Sequence, residues 1–330
     1  MSRMQPDEKT LRAALSLACR APSVHNSQPW RWKLGERSVH LYADQTRSML
    51  ATDPYGADLI ISCGAALHHL RVGLAALGWR AIVHRLPNPA DPDHLAAVEF
   101  TRHEPTQADI ALAAAIPRRR TDRRAYSSWA VPGELIKQLV TRAEDEGVLA
   151  REVGTAEARY HLVAAIAQAA AAQESDPEYR SEIRAWSGMH TGSVAGVPAA
   201  NIPSGERTYG DVQVREFSAG ELLQTDRRQL SEDAGSLFVL STSSDDTLSR
   251  LRAGEATSAV LLEATSAGLA TCPLSQPLEV LSTKDLVRDH VLGGTSCPQM
   301  VLRIGWAGFN ADPLPPTPRR PLIDVLEELR

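Results

Sequence analysis

The order of predicted secondary-structure elements begins again after Pro117, and this repetition constrains the fold more than any other feature of the chain. Before this proline, apolar periodicity predicts helices over 7–20, 54–77 and 107–116, a hairpin over 30–41, and strands over 80–86 and 95–101. After it, the patterns predict helices over 132–146, 156–172, 179–186, 254–267 and 322–329, and strands over 148–153, 235–241 and 298–304. A chain of 330 residues suits two domains or one large unit of mixed helices and strands.

One long Ala- and Leu-rich helical segment bounded by glycine occurs in each part of the chain. The first runs from Gly56 to Gly78 and the second from Gly254 to Gly268. Glycine-capped helices of this composition are common, so the similarity indicates an internal duplication only together with further evidence.

Five arginines surround a Thr-Asp pair in the arginine segment, Arg118–Arg124, which reads RRRTDRR. Many clusters of this kind are only solvated basic turns. This one follows a predicted helix directly, where a phosphate can accept hydrogen bonds from hydroxyl, backbone and guanidinium donors together. The segment is therefore a candidate anion site.

A second candidate segment covers residues 21–30 and reads APSVHNSQPW. Pro22 ends the preceding helix, and Ser23 and Asn26 offer short polar side chains before a strand that begins at Trp30. An isolated Ser and Asn at this spacing would indicate only a helix stop and an Asx turn. The whole segment predicts a rigid polar turn, the name we use for residues 22–28.

Together, the polar turn and the arginine segment resemble the two parts of the FMN site in the nitroreductase family. The similarity is greatest to the actinobacterial, dormancy-associated Acg-like branch, which residues 53–78 (DPYGADLIISCGAALHHLRVGLAALG) also resemble. This resemblance implies an α+β nitroreductase-like fold of two fused halves, residues 1–105 and 106–330, that form an intramolecular pseudo-dimer.

The same resemblance implies which residues contact FMN from each side. The polar turn would contribute Pro22, Ser23, His25 and Asn26. The arginine segment would contribute Arg119 and Thr121 at the phosphate and ribityl chain, and Arg123 near the N1 and O2 edge of the flavin. A fixed cation at that edge stabilises the negative charge that two-electron reduction places there.

Two further segments match the family by resemblance. Residues 272–276 resemble the turn whose backbone donors face flavin N5, which implies Pro273, Leu274, Ser275 and Gln276 as cofactor contacts. Arg319 resembles a C-terminal basic residue that closes on the phosphate, with Arg320 or a plain charged tail as the alternatives. Since N5 carries the chemistry, no catalytic side chain is expected, and the adjacent His68 and His69 cannot form a metal pair on one helix face.

The order of the two main segments is the reverse of that in ordinary nitroreductases, where the arginines come first and FMN lies at a dimer interface. Fusion of two subunit-like halves explains this order. A second, symmetry-related site would need arginines at the start of the chain and a polar turn near 187–201, and the sequence has neither. We therefore expect one FMN per chain.

Residues 187–217, the lid segment, are rich in Gly, Pro, Ser and Asn and show no lasting period. A segment of this length is either disordered or a functional lid. Apolar residues at Met189, Val194, Val197 and Ile202 favour the lid.

Composition excludes several classes of partner. A net charge of −5 argues against a general nucleic-acid or anionic-membrane surface. The first residues lack an apolar signal region, and we expect no apolar run of the ~18 residues that a membrane span needs. The four cysteines are widely spaced, which predicts reduced thiols without metal. We expect a cytoplasmic protein whose fused chain can act as a monomer.

Two functional classes follow from the resemblance. In the first, NAD(P)H reduces bound FMN and leaves, and a nitroaromatic or quinone-like acceptor then takes the hydride from N5 in a ping-pong reaction. In the second, the lid segment covers the flavin, and the protein sequesters FMN without turnover. Fold membership favours the first class by analogy, and the lid and the single site favour the second. The oxidoreductase is the leading hypothesis.

Overall fold

The first part of the chain forms one sheet with helices packed on it. The computed structural model describes residues 5–189, 192–205, 207–223 and 232–329. Up to residue 115 the elements are α1 (Glu8–Ala18), β1 (Trp30–Leu34), β2 (Val39–Ala43), α2 (Ala57–Ala76), β3 (Trp79–Arg85), β4 (His94–Arg102) and α3 (Gln107–Ala115). Strand β2 pairs antiparallel with β1 and β4, and β4 pairs antiparallel with β3. Trp30, Trp32 and Leu34 alternate on β1 and are buried in the core.

The second part of the chain forms a four-stranded antiparallel sheet, in the order Ala270–Pro273, Cys297–Gly305, Ser236–Thr242 and Leu149–Glu152. Its helices and strands are α4 (Gly133–Glu144), β5 (Leu149–Glu152), α5 (Ala156–Ser175), α6 (Pro177–Trp186), β6 (Ser187–Met189), β7 (Val197–Pro198), β8 (Thr208–Tyr209), β9 (Val212–Gln213), β10 (Ser236–Thr242), α7 (Thr247–Ser266), β11 (Ala270–Pro273), α8 (Gln276–Glu279), α9 (Leu281–Leu286), β12 (Cys297–Gly305) and β13 (Leu326–Glu328). The short pairs β6-β7 and β8-β9 lie within the lid segment.

The long helices α2 and α7 pack against each other through two glycines. A Cβ atom on Gly64 would lie 2.0 Å from the carbonyl oxygen of Leu251, and one on Gly254 would lie 2.0 Å from the carbonyl oxygen of Ile61. Only glycine permits this approach, so the two backbones are in direct contact. The crossing joins the two cores, since Leu251 packs in the core of the first sheet and Ile61 in that of the second.

Contrary to the sequence expectation, one described helix, α2, is long and apolar enough to cross a membrane, with a mean hydropathy of 1.4. Of that apolar window, 83% is buried inside the protein. The helix contacts α1, α3, α7 and strand β3. Packing on all sides therefore accounts for its apolar character.

The predicted helix over residues 322–329 is wrong. The chain forms a short 3-10 helix, Leu322–Asp324, and then strand β13, which runs parallel to β1. Trp32 N donates to the Val325 carbonyl, and Leu329 N donates to the Leu34 carbonyl, each at 2.7 Å. A helix of eight residues is marginal by itself, whereas the open edge of β1 offers a row of backbone partners. The end of the chain thus completes the first sheet.

Candidate functional site

A cleft with about 850 Å³ of empty space, part of it open solvent, lies where α2, the polar turn, the arginine segment and the lid segment meet. A smaller cavity of about 390 Å³ adjoins it. The larger cleft is lined by the predicted residues Pro22, Ser23, His25, Thr121, Arg123, Pro273, Leu274, Ser275 and Gln276. The smaller cavity shares Pro22, Ser23, Thr121 and Arg123 and adds Asn26, Arg119 and Arg319. The structure therefore brings all of the sequence-predicted site residues to one place.

The polar turn has an unusual backbone conformation. His25, Asn26 and Gln28 have φ values of 45°, 57° and 54°, a region that residues other than glycine rarely adopt. Ser23 Oγ accepts a hydrogen bond from Gln28 N at 3.0 Å, and Ser62 Oγ of α2 accepts one from Val24 N at 3.1 Å. These bonds hold the strained turn against α2, and strain of this kind concentrates at binding sites.

Arg119 and Arg319 bring buried positive charge to the smaller cavity. Arg119 is 5% exposed, and its Nε and Nη1 atoms, like Nε of Arg319, have no hydrogen-bond partner in the described part of the chain. Arg319 donates to Asn26 Oδ1 at 3.0 Å and to the carbonyls of Arg20 and Ala21 at 3.1 Å. Burial, followed by the charges of neighbouring arginines, lowers the pKa of Arg119 to about 10 and that of Arg319 to about 9. Such a cluster needs an anion, because buried charges are normally paired.

Two other arginines of the segment, Arg118 and Arg124, do not line either cavity. Arg118 is exposed. Arg124 forms two hydrogen bonds with the Asp122 carboxylate, at 3.0 and 2.8 Å, and donates to the Asp312 carbonyl at 2.9 Å. Asp122 N in turn donates to the Thr271 carbonyl at 2.8 Å, which fixes the segment along β11. Residues 119, 121 and 123 consequently face the two cavities, while Arg124 has its own counter-ion.

Arg123 links the arginine segment to the lid segment. Its guanidinium lies 4.8 Å from the centre of the Phe217 ring, and its Nη1 donates to the Asn201 carbonyl at 3.4 Å. Burial is the main cause that lowers the pKa of Arg123. The Phe217 ring also meets His25 edge-on, with ring centres 5.4 Å apart. Burial, together with the charges of Arg215 and Arg123, lowers the pKa of His25 well below 6.5, so its imidazole is neutral at pH 7.

The lid segment is hydrogen-bonded to the polar turn. Asn26 Nδ2 donates to the Gly196 carbonyl at 3.0 Å, and Gln28 Nε2 donates to the Val194 carbonyl at 2.8 Å. Val197, Ile202 and Phe217 of the lid segment pack with Tyr179 and Ile183 of α6. The described part of this segment is therefore a wall of the site.

Several cleft residues were not predicted from the sequence. They are Asp58, Ile61, Ser62 and Ala65 of α2, Arg215 and Phe217 of the lid segment, and Thr257 of α7. Asp58 and Ser62 are four positions apart, so two polar side chains share one face in the apolar first part of the helix, and this spacing was a usable signal. Arg215 gave no such signal. It lies among Tyr179, Ser275 and Glu279, and Glu279 is its ion-pair partner.

Comparison with known proteins identifies the family, although no family model matches the chain. The Mycobacterium tuberculosis protein named "Putative NAD(P)H nitroreductase Rv3131" is 50% identical over 322 residues, which cover 98% of this chain and 92% of the relative. "Putative NAD(P)H nitroreductase acg" of the same organism is 38% identical over 320 residues, which cover 96% of this chain and 94% of the relative.

Solved structures are more distant. The FMN-dependent nitroreductase NfnB from Mycobacterium smegmatis, in complex with NADPH, has 19% identity and a TM-score of 0.41, covering 68% of this chain and 100% of that chain. A nitroreductase with bound FMN from Desulfitobacterium hafniense has 12% identity and a TM-score of 0.42, covering 67% of this chain and 98% of that chain.

The class of protein is thus an α+β protein with the nitroreductase-like fold, as predicted. This chain belongs to the nitroreductase family, with Acg among its relatives. The family predicted from the polar turn and the arginine segment is confirmed.

Proposed function

We propose that this protein is an FMN-dependent NAD(P)H oxidoreductase that reduces nitroaromatic or quinone-like acceptors. The names of its relatives support the nitroreductase assignment. The observation that carries the cofactor assignment is the pair of buried guanidinium groups, Arg119 and Arg319, with unpartnered nitrogen atoms at one end of the cleft. A phosphate supplies the charge that they lack.

The residues around the two cavities fit FMN in their chemistry. Arg119, Arg319 and the Thr121 hydroxyl would hold the phosphate in the smaller cavity. The larger cleft would take the ring, with Arg123 as the fixed cation and with the backbone of residues 273–276 as donors. Bound FMN would accept a hydride from NAD(P)H and pass it to the acceptor.

The protein's own groups would orient the ring and exclude water. Phe217 and Ile166 line the cleft with apolar surface. His25 has an Nε2 atom without a hydrogen-bond partner in the described residues. This neutral imidazole is therefore available to a polar group of the ligand.

Cofactor content tests the proposal directly. The purified protein should be yellow, with close to one FMN per chain. Arg119→Ala should weaken FMN binding by about 10- to 100-fold, because a hydrogen bond to a charged group is worth roughly 1.5–3 kcal/mol. The matched controls are Arg118→Ala, an exposed arginine, and Arg124→Ala, an arginine paired with Asp122.

Fluorescence titration of the apoprotein with FMN provides the measurement. Both controls should retain FMN better than Arg119→Ala does. Equal affinity in all three variants would refute the assignment of Arg119 to the phosphate, and a flavin-to-protein ratio near two would refute the single site.

A second candidate function is FMN sequestration without turnover. The hydrogen bonds from Asn26 and Gln28 to the lid segment favour it, because they keep the lid segment against the polar turn. Anaerobic mixing with NADH and NADPH separates the two functions. Rapid bleaching of the flavin absorbance supports the oxidoreductase, and a flavin that stays oxidised for minutes supports sequestration.

A further inference from the structure

We propose that Asp58 is the proton donor for a quinone-like acceptor reduced in the larger cleft. This inference rests on the proposed oxidoreductase function and adds a side-chain role to it. The carboxyl group lies in the first turn of α2 and lines the cleft. It is 7% exposed, and its Oδ2 has no hydrogen-bond partner among the described residues.

Asp58 is not needed to cap its helix. Asp53 already does so, since its two carboxylate oxygens accept hydrogen bonds from Ala57 N at 2.7 Å and Leu59 N at 2.8 Å. Glu279, the other nearby acid, accepts from Ser275 Oγ at 2.7 Å and is paired with Arg215. Asp58 is thus the acid of this group whose free oxygen is left for a ligand in the cleft.

The surroundings favour the neutral form of Asp58. Burial contributes most, and the charges of Asp53 and Glu279 add to it, while Arg215 and Lys284 act in the opposite direction. Together they raise the pKa of Asp58 well above 3.8. A buried carboxyl group that lines the cleft with a free oxygen and a raised pKa is suited to general acid catalysis.

The reaction balances with one proton from this residue. Reduction of a quinone to a hydroquinone takes up one hydride, with its electron pair, and one proton. The hydride would come from the reduced flavin. The O–H bond of the Asp58 carboxyl breaks, an O–H bond to the quinone oxygen forms, and the Asp58 carboxylate regains a proton from solvent. Hydride transfer from NAD(P)H to the flavin needs no proton from Asp58.

Stopped-flow measurement of the two half-reactions tests this role. Asp58→Asn keeps the shape and removes the proton. It should leave flavin reduction by NAD(P)H unchanged and slow reoxidation by menadione under anaerobic conditions by about 100-fold. Asp246→Asn is the matched control. It makes the same substitution at the N-cap of α7, where asparagine caps a helix as well as aspartate does.

A second readout needs no flavin. Because the folded-state pKa of Asp58 is raised, this residue should contribute a loss of apoprotein stability as the pH rises from 3.8 through that pKa. Asp58→Asn should remove this loss, and Asp246→Asn should keep it. If the two variants show the same pH dependence, Asp58 does not hold the proton.

Photochemical reduction of the flavin separates the two proposals. It permits the menadione reaction to be measured whether or not NAD(P)H reduces the protein. A wild-type protein that NAD(P)H fails to reduce overturns the proposed function. Reoxidation of Asp58→Asn at the wild-type rate overturns the role of Asp58 alone.

Discussion

The α2–α7 helix pair has two sides that differ in what fills them. With Gly64 and Gly254 taken as equivalent positions, Ala65 corresponds to Glu255, because each is the residue that follows the glycine. Ala65 lines the open cleft. Glu255 is fully buried and accepts hydrogen bonds from Arg71 at 2.8 Å and from Arg85 at 2.7 and 2.9 Å.

Charged side chains thus surround the position on the second side that corresponds to Ala65. Arg71 also binds Glu146 at 2.6 Å, so an ion-pair network of Arg71, Arg85, Glu146 and Glu255 occupies that region. The small side chain of Ala65 leaves space in the cleft for a ligand. The buried carboxylate of Glu255, at the corresponding position, is instead paired with two arginines. The difference gives a physical reason to expect one FMN per chain.

Substitution of the crossing glycines should have the largest effect on this arrangement. Gly64→Ala or Gly254→Ala places a methyl group 2.0 Å from a backbone oxygen, and neither backbone can give way locally. We expect a loss of more than about 3 kcal/mol in the free energy of unfolding, measured by urea denaturation. Gly73→Ala is the control in α2, where the nearest atom is a side-chain carbon of Leu17 at 3.2 Å. Similar losses at Gly64 and Gly73 would contradict the close crossing.

Neutralising the network should have the next largest effect. Glu255→Gln removes the carboxylate between Arg71 and Arg85, whose side chains are 30% and 23% exposed. Because solvent can partly rehydrate both arginines, the loss should be about 2 kcal/mol, below that for a wholly buried pair. Glu263→Gln, on the same helix but 26% exposed, should cost less than about 1 kcal/mol.

Cofactor content sharpens the comparison between the two sides. FMN bound to Glu255→Gln should stay near one per chain, because the cleft lies on the other side of the crossing. A rise toward two FMN per chain on this substitution would show that the network alone closes a second site.

The sequence predicted the parts of the fold that local pattern determines. The helix predicted over 54–77 is observed as Ala57–Ala76, and that predicted over 107–116 as Gln107–Ala115. The helix predicted from residue 254 begins earlier, at Thr247, where Asp246 accepts a hydrogen bond from Ser249 N. Polar residues in the first turns hid this start, because periodicity was read from apolar residues alone.

Contacts distant in sequence account for what the pattern could not reveal. The C-terminal strand forms because β1 has an open edge, and the segment Leu322–Leu329 carries no sign of that edge. Arg215 reaches the cleft because the lid segment lies across α8, where Glu279 holds it. The polar turn and the arginine segment were found from the family resemblance, and only the fold shows which arginines lack partners.

The smallest expected effect is on the pH dependence of stability. It can be compared for one histidine on each side of the helix pair, His25 in the cleft and His68 beside the network. Burial and nearby arginines lower the pKa of His25 in the cleft and of His68 beside the network well below 6.5. Because the unfolded state gains protons first, each histidine should lower the free energy of unfolding as the pH drops below 6.5, by up to about 1.4 kcal/mol per pH unit. His25→Gln and His68→Gln should each reduce this slope in the apoprotein, measured by urea denaturation between pH 7 and 5.

Glu146 lies 3.7 Å from His68 Nε2 but is already paired with Arg71, so it should not hold a proton on the imidazole. A slope that His68→Gln leaves unchanged would show instead that His68 is charged within the network, and the two sides would then differ in protonation as well as in occupancy.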